Sequence, residues 1–250
     1  MWKLGVVSYL NSLPLYRPLE ARREVEIVRA LPALLANQLD AGQCDAALLP
    51  IVDHLRGHGD GLVSDAIIGA TGFVRSVLMF SKVPPERVRT VAADTSSHTS
   101  VALLRVLLRD LHGLEPAFAD APPNLEAMLR DHDAALIIGD PALEAVQHPG
   151  DLHVFDLATA WRELTGLPFV FAAWTKRRGL DEEPTVELAA YLSAARDEGT
   201  SAVAQIVREN PTGTKLPAEV VTKYLDGTIQ YTLTEGHQAG IEEFRRRLGL

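Results

Sequence analysis

The sequence has a single cysteine, Cys44. No disulfide can close within the chain, so nothing supports a secreted, disulfide-stapled fold. Cys44 stands beside an apolar run and reads as a small core residue rather than a nucleophile. Basic residues are in deficit: 24 Lys and Arg face 33 Asp and Glu, for a formal net charge of -9. A nucleic-acid binder carries a basic face. The dense basic runs here, Lys176–Arg178 and Arg245–Arg247, read as solvated surface, the second at the end of a C-terminal helix where cations suit the dipole. No apolar stretch approaches the ~20 residues that span a bilayer. Met1–Gly5 shows neither a basic leader nor an apolar signal core. The expectation is therefore a cytoplasmic protein with no nucleic-acid or membrane partner. Familiar catalytic signatures are missing too: there is no G-x-S-x-G, H-E-x-x-H, Walker A loop or G-x-G-x-x-G. His54 and His58 have a metal-like spacing of four, but Gly57 and Gly59 argue against a helix there, so no metal site is expected.

What is present is enough for a large core, since 47% of the 250 residues are hydrophobic. Strand-like runs alternate with helix-like runs, the pattern of an α/β fold with mostly parallel sheets. Strands are expected at 4–9, 45–49, 67–68, 76–80, 88–93, 134–138, 152–156 and 168–174. Helical periodicity covers 33–41, with Leu34, Leu35 and Leu39 on one face, and 99–111, with Val101, Leu104, Leu108 and Leu111 inward. Asn124 and Thr234 suit helix N-caps. Four further helical stretches follow residue 185. The segment Val83-Pro84-Pro85-Glu86 interrupts the alternation, because two prolines cannot continue a central strand. Two α/β series either side of it suggest two lobes: residues 1–82 with 173–250, and residues 83–172, with a ligand cleft between them. Crossings are expected near Ser81–Glu86 and Phe169–Trp174. A single doubly wound domain fits the periodicity as well.

In open α/β sheets, ligands sit beyond the carboxyl ends of the strands. Those ends carry Tyr9 and Asn11, then Asp94-Thr95-Ser96-Ser97-His98-Thr99-Ser100, then Gly139 and Asp140. The second opens a helix, whose free N–H groups and positive dipole end attract carboxylates and phosphates. One N-cap needs one hydroxyl, whereas this turn offers a surplus, and Ser97, Thr99 and Ser100 are candidate anion ligands. Asn11 carries both a donor and an acceptor, although an Asx-turn would explain it equally.

Several segments, in order, resemble one family. Val7-Ser8-Tyr9-Leu10-Asn11-Ser12-Leu13-Pro14-Leu15, Gly72-Phe73-Val74-Arg75-Ser76-Val77-Leu78, Asp94 to Leu104, Ile137-Ile138-Gly139-Asp140-Pro141-Ala142-Leu143, and Asp156-Leu157 with Trp161 and Thr165 to Trp174 are similar to the chorismate dehydratases of the futalosine route to menaquinone. The resemblance implies a two-lobed type II periplasmic-binding-protein-like fold used as an enzyme. It implies loss of water from chorismate, a dianion, to give 3-[(1-carboxyvinyl)oxy]benzoate. Carried over by motif, Asn11 and Ser76 are the catalytic polar groups; the strand-end residues Tyr9, Ser97, Thr99, Ser100, Gly139 and Asp140 are expected to bind the substrate. No cofactor is implied. No strong base stands out, and the substrate's own enolpyruvyl carboxylate is a candidate for that role. Rival readings are 1,4-dihydroxy-6-naphthoate synthase of the same route, a non-catalytic small-anion binding protein, and the effector domain of a transcription regulator.

Overall fold

The computed structural model describes residues 1–250, the side chain of Ala33 excepted. In chain order its strands are β1 (Trp2–Val6), β2 (Val25–Arg29), β3 (Ala46–Pro50), β4 (Leu62–Ala70), β5 (Val77–Ser81), β6 (Thr90–Asp94), β7 (Ala117–Ala121), β8 (Ala134–Ile138), β9 (His153–Asp156), β10 (Phe169–Lys176) and β11 (Gln230–Thr232). They form two separate sheets, ordered β11-β4-β10-β3-β1-β2 and β7-β6-β8-β5-β9, with helices packed around each. The layout is the expected two-lobed α/β fold.

The chain changes sheet earlier than the prolines suggest. β5 already pairs with β8 and β9 in the second sheet. β10 pairs from its first residue with β4 in the first. Residues 77–82 and 169–172 thus stand across the expected boundary. The crossings run through 71–76 and through the segment between β9 and β10. Pro84 and Pro85 only turn the chain between β5 and β6. A fully buried apolar strand has the same pattern in either sheet, so periodicity cannot assign it.

Both sheets are mixed rather than mostly parallel. β1 runs parallel to β2 and β3, and β6 to β7 and β8, but β5 and β10 run antiparallel to their neighbours. The reason is geometric. β3, β6 and β8 reach the cleft at their carboxyl ends. A strand that brings the chain across from the other sheet enters at the cleft and must run the opposite way.

Helix 99–112 buries Leu103, Leu104, Leu107 and Leu108, leaving Val101 half-buried and Leu111 at the surface. Helix 32–40 buries Leu35 and Leu39, whereas Leu34 is exposed rather than inward. Asn124 Oδ1 accepts the Ala127 N–H at 3.0 Å, and Thr234 caps the last helix in a capping box with His237. Behind β10, Trp161, Phe169, Phe171 and Phe244 meet edge to face with centroids 4.9–5.9 Å apart. Such pairs add about 0.5–1.5 kcal/mol each beyond their buried area. They hold the returning strand against the C-terminal helix. Helix 182–201 packs on the short helix Leu13–Tyr16, where Gly199 stands against Pro14.

Candidate active site

Between the sheets lies a cleft of about 620 Å³, its open mouth included. The strand ends singled out above converge there: Tyr9, Asn11, Ser76, Ser97, Thr99, Ser100 and Gly139 all line it, together with His98 and Phe171. The lining is largely apolar. Among the described residues it includes no Asp, Glu, Lys or Arg, and His98 is its one histidine.

Asn11 sits in a single 3-10 turn, Leu10–Ser12, just after β1. Its Oδ1 is shut off from solvent and has no hydrogen-bond partner. A buried amide oxygen left unpaired costs about 1–3 kcal/mol, which is tolerable where a ligand supplies the donor. Ser76 is fully buried just before β5. Its carbonyl accepts the Gly139 N–H at 2.7 Å, and its Oγ accepts the Tyr224 hydroxyl at 2.7 Å.

The backbone that presents Ser76 is strained and clamped. Arg75 adopts φ 64°, a left-handed conformation that costs a non-glycine residue of order 1 kcal/mol or more. Asp156 holds it there: one carboxylate oxygen accepts the Val74 and Arg75 N–H groups at 2.9 and 2.8 Å, and the other caps helix 157–165 through Ala158 and Thr159. Burial raises the Asp156 pKa against the pull of these four donors.

Several contacts bridge the cleft and hold it closed. The Tyr9 ring lies on Gly139, where φ is +66° and a Cβ would meet the ring at 2.9 Å. The Tyr9 hydroxyl donates to Ser96 Oγ at 3.1 Å, and Ser96 in turn donates to buried Asp94 at 2.6 Å. The Leu10 N–H donates to Asp140 Oδ1 at 3.0 Å.

Two of the expected substrate-binding residues are already engaged. Thr99 donates its hydroxyl to the Phe171 carbonyl at 3.2 Å and accepts the Val52 N–H, so it staples the two lobes. Asp140 is absent from the lining and serves Leu10 instead. Ser97 Oγ accepts the Ser100 N–H at 3.2 Å, the role of an ordinary cap, while its own hydrogen stays available.

Sequence reasoning passed over His98. Its Nδ1 lies 2.9 Å from both oxygens of Asp53, a carboxylate only 3% exposed. That hydrogen bond raises the His98 pKa, so the ring keeps its proton to higher pH. The signal was a titratable residue inside the hydroxyl-rich turn, but its partner lies 45 residues away. Among the described residues no group of three or more His, Cys, Asp and Glu could hold a metal, and no helix is long and apolar enough to cross a membrane.

Asp140 carries a testable cost. Burial pushes its pKa up to about 6, with Glu144 adding to the shift and the Leu10 N–H opposing it. Between about pH 4 and 6 the native state keeps a proton that the unfolded chain has released, so stability falls as pH rises through that window. Asp140→Asn keeps the acceptor oxygen and cannot ionise. It is expected to be about 2 kcal/mol more stable than the parent in urea at pH 7.5, at ~1.4 kcal/mol per pKa unit less the weaker neutral hydrogen bond. At pH 4 the gain is expected to vanish. An equal difference at both pH values would show that the carboxylate is not destabilised.

Residues 2–249 match the family model described as menaquinone biosynthesis. The chain belongs to the menaquinone biosynthesis family. Two relatives of this family member are chorismate dehydratases. That of Thermus thermophilus is 32% identical over 99% of this chain and 95% of its own. That of Campylobacter jejuni is 30% identical over 68% of this chain and 66% of its own. Solved structures agree on the fold. A protein of Archaeoglobus fulgidus superposes with a TM-score of 0.75 at 15% identity, covering 99% of this chain and 96% of its own. The periplasmic aliphatic sulphonate binding protein of Escherichia coli gives 0.64 at 20% identity, covering 98% and 90%.

Proposed function

We propose that this family member is a hydro-lyase that removes water from chorismate to give 3-[(1-carboxyvinyl)oxy]benzoate, acting in the cytoplasm on the futalosine route. The two dehydratase relatives support the substrate. The observation that carries the reading is the buried, unpartnered Asn11 Oδ1 beside Ser76 in a cleft lined without side-chain carboxylates.

The elimination takes a ring proton and a hydroxyl. The electrons of the ring C–H bond become the new double bond, the C–O pair leaves with oxygen, and proton and hydroxide make water. The product ring is aromatic, so much of the driving force lies in the substrate. The protein has to orient the ring and keep bulk water out. Asn11 and Ser76 act on the leaving hydroxyl and the enolpyruvyl group. His98, whose Nδ1 is held by Asp53, presents its other ring nitrogen as a donor for one substrate carboxylate, with Ser97 and Ser100 as further donors. The enolpyruvyl carboxylate takes the ring proton, a role for which the lining provides no acidic side chain of its own. Opening between the two sheets, about the crossings at 71–76 and 157–168, admits the substrate.

The test is incubation of the purified protein with chorismate and mass detection of a product lighter by one water. Binding by calorimetry without that product would instead make the chain a small-anion binding protein.

A further inference from the structure

Tyr224 lies in a single π-helical turn, Lys223–Thr228, that follows helix Ala218–Thr222. Isolated π turns occur often at functional sites, because the extra residue swings side chains out of the α-helical register. Here Tyr224 is buried at 2% exposure, off the cleft lining and behind Ser76. Its hydroxyl donates to Ser76 Oγ at 2.7 Å. Burial raises the Tyr224 pKa well above its ordinary value, so the group stays neutral and remains a donor.

A serine hydroxyl rotates freely unless a partner fixes it. Once Tyr224 occupies a lone pair of Ser76 Oγ, the Ser76 hydrogen must point elsewhere. We infer that Tyr224 is a positioning residue of the reaction: its hydrogen bond to Ser76 turns the Ser76 hydroxyl hydrogen into the cleft, where it meets the departing hydroxyl. Tyr224 exchanges no atom with the substrate. It removes a rotational freedom that would otherwise be lost during the reaction. The inference rests on the dehydratase reading and adds a residue to it.

A double-mutant cycle over Tyr224→Phe and Ser76→Ala tests it, with kcat and KM read from product formation. Tyr224→Phe keeps the ring and its packing. It is expected to lower kcat roughly tenfold to a hundredfold and to leave KM within about threefold, since positioning acts on the reacting geometry rather than on general affinity. In the Ser76→Ala background the same change is expected to have no further effect on kcat, because its only target is gone. A purely structural role would slow both backgrounds alike, and that additive result overturns the inference, as does an unchanged kcat in Tyr224→Phe. Should the single Phe variant fail to fold, the double variant removes both polar ends together, and its comparison with Ser76→Ala reads the same leg. Equal kcat there supports the inference, and a lower one overturns it. If the parent protein forms no product, the dehydratase reading fails and the inference falls with it. Product from the parent with an additive cycle removes the inference alone.

Discussion

Asn11→Ala is expected to lose roughly a hundredfold or more in kcat while still binding chorismate within a few-fold of the parent. Removing a single preorganised polar group from a reacting centre typically costs ~10²–10³ in rate. The fold has little reason to suffer, because Asn11 is half-buried and its Oδ1 has no partner to lose. Loss of a group that acts in the transition state lowers kcat and kcat/KM together, so titration calorimetry and steady-state turnover on the same preparation give the decisive comparison. Asn11→Asp would put a carboxylate beside a dianion, and repulsion is expected to weaken binding as well as turnover. Normal turnover by Asn11→Ala would move the catalytic polar group away from the first strand, towards Ser97 and His98.

Gly199→Ala is expected to destabilise the protein by roughly 3 kcal/mol, at the upper end of overpacking costs. For a chain of this size that is a fall in thermal midpoint of about 6–12 °C. Helix propensity alone predicts the opposite sign, a gain of about 1 kcal/mol for alanine inside helix 182–201. The contact decides. A Cβ on Gly199 would fall well inside van der Waals contact with the Pro14 carbonyl oxygen, and a backbone atom of helix Leu13–Tyr16, which directly follows the turn that carries Asn11, cannot swing aside. The two helices have to part. Differential scanning calorimetry gives the answer, and a midpoint at or above that of the parent would show that they separate without cost. Since Pro14 follows Asn11 closely, a fall in turnover beyond what the unfolded fraction explains is also expected.

The candidate site was legible where the chain itself carries the signal. Tyr9, Asn11, Gly139 and the Ser97–Ser100 turn follow strands whose apolar runs are plain, and all reach the cleft. Tyr224 was not legible. It falls in a stretch that reads as an ordinary amphipathic helix, and neither the π turn nor the 148-residue separation from Ser76 leaves a trace in periodicity. Asp156 was visible as part of a motif, but its grip on Val74 and Arg75 was not, for the same reason of distance along the chain. β2 and β7 also escaped notice. They are edge strands with few buried side chains, so alternation is weak.

By itself the sequence determined the α/β class, the caps at Asn124 and Thr234, most of the buried strands, and the strand ends that line the cleft. These are local properties: periodicity and capping depend on residues a few positions apart. Only the tertiary structure decided which sheet β5 and β10 join, that Thr99 and Asp140 spend their polar atoms on bridging the lobes, that His98 leans on Asp53, and that Tyr224 stands behind Ser76. Each of those depends on which distant segment a side chain meets, and hydrophobic burial, the force that brings the segments together, is non-directional.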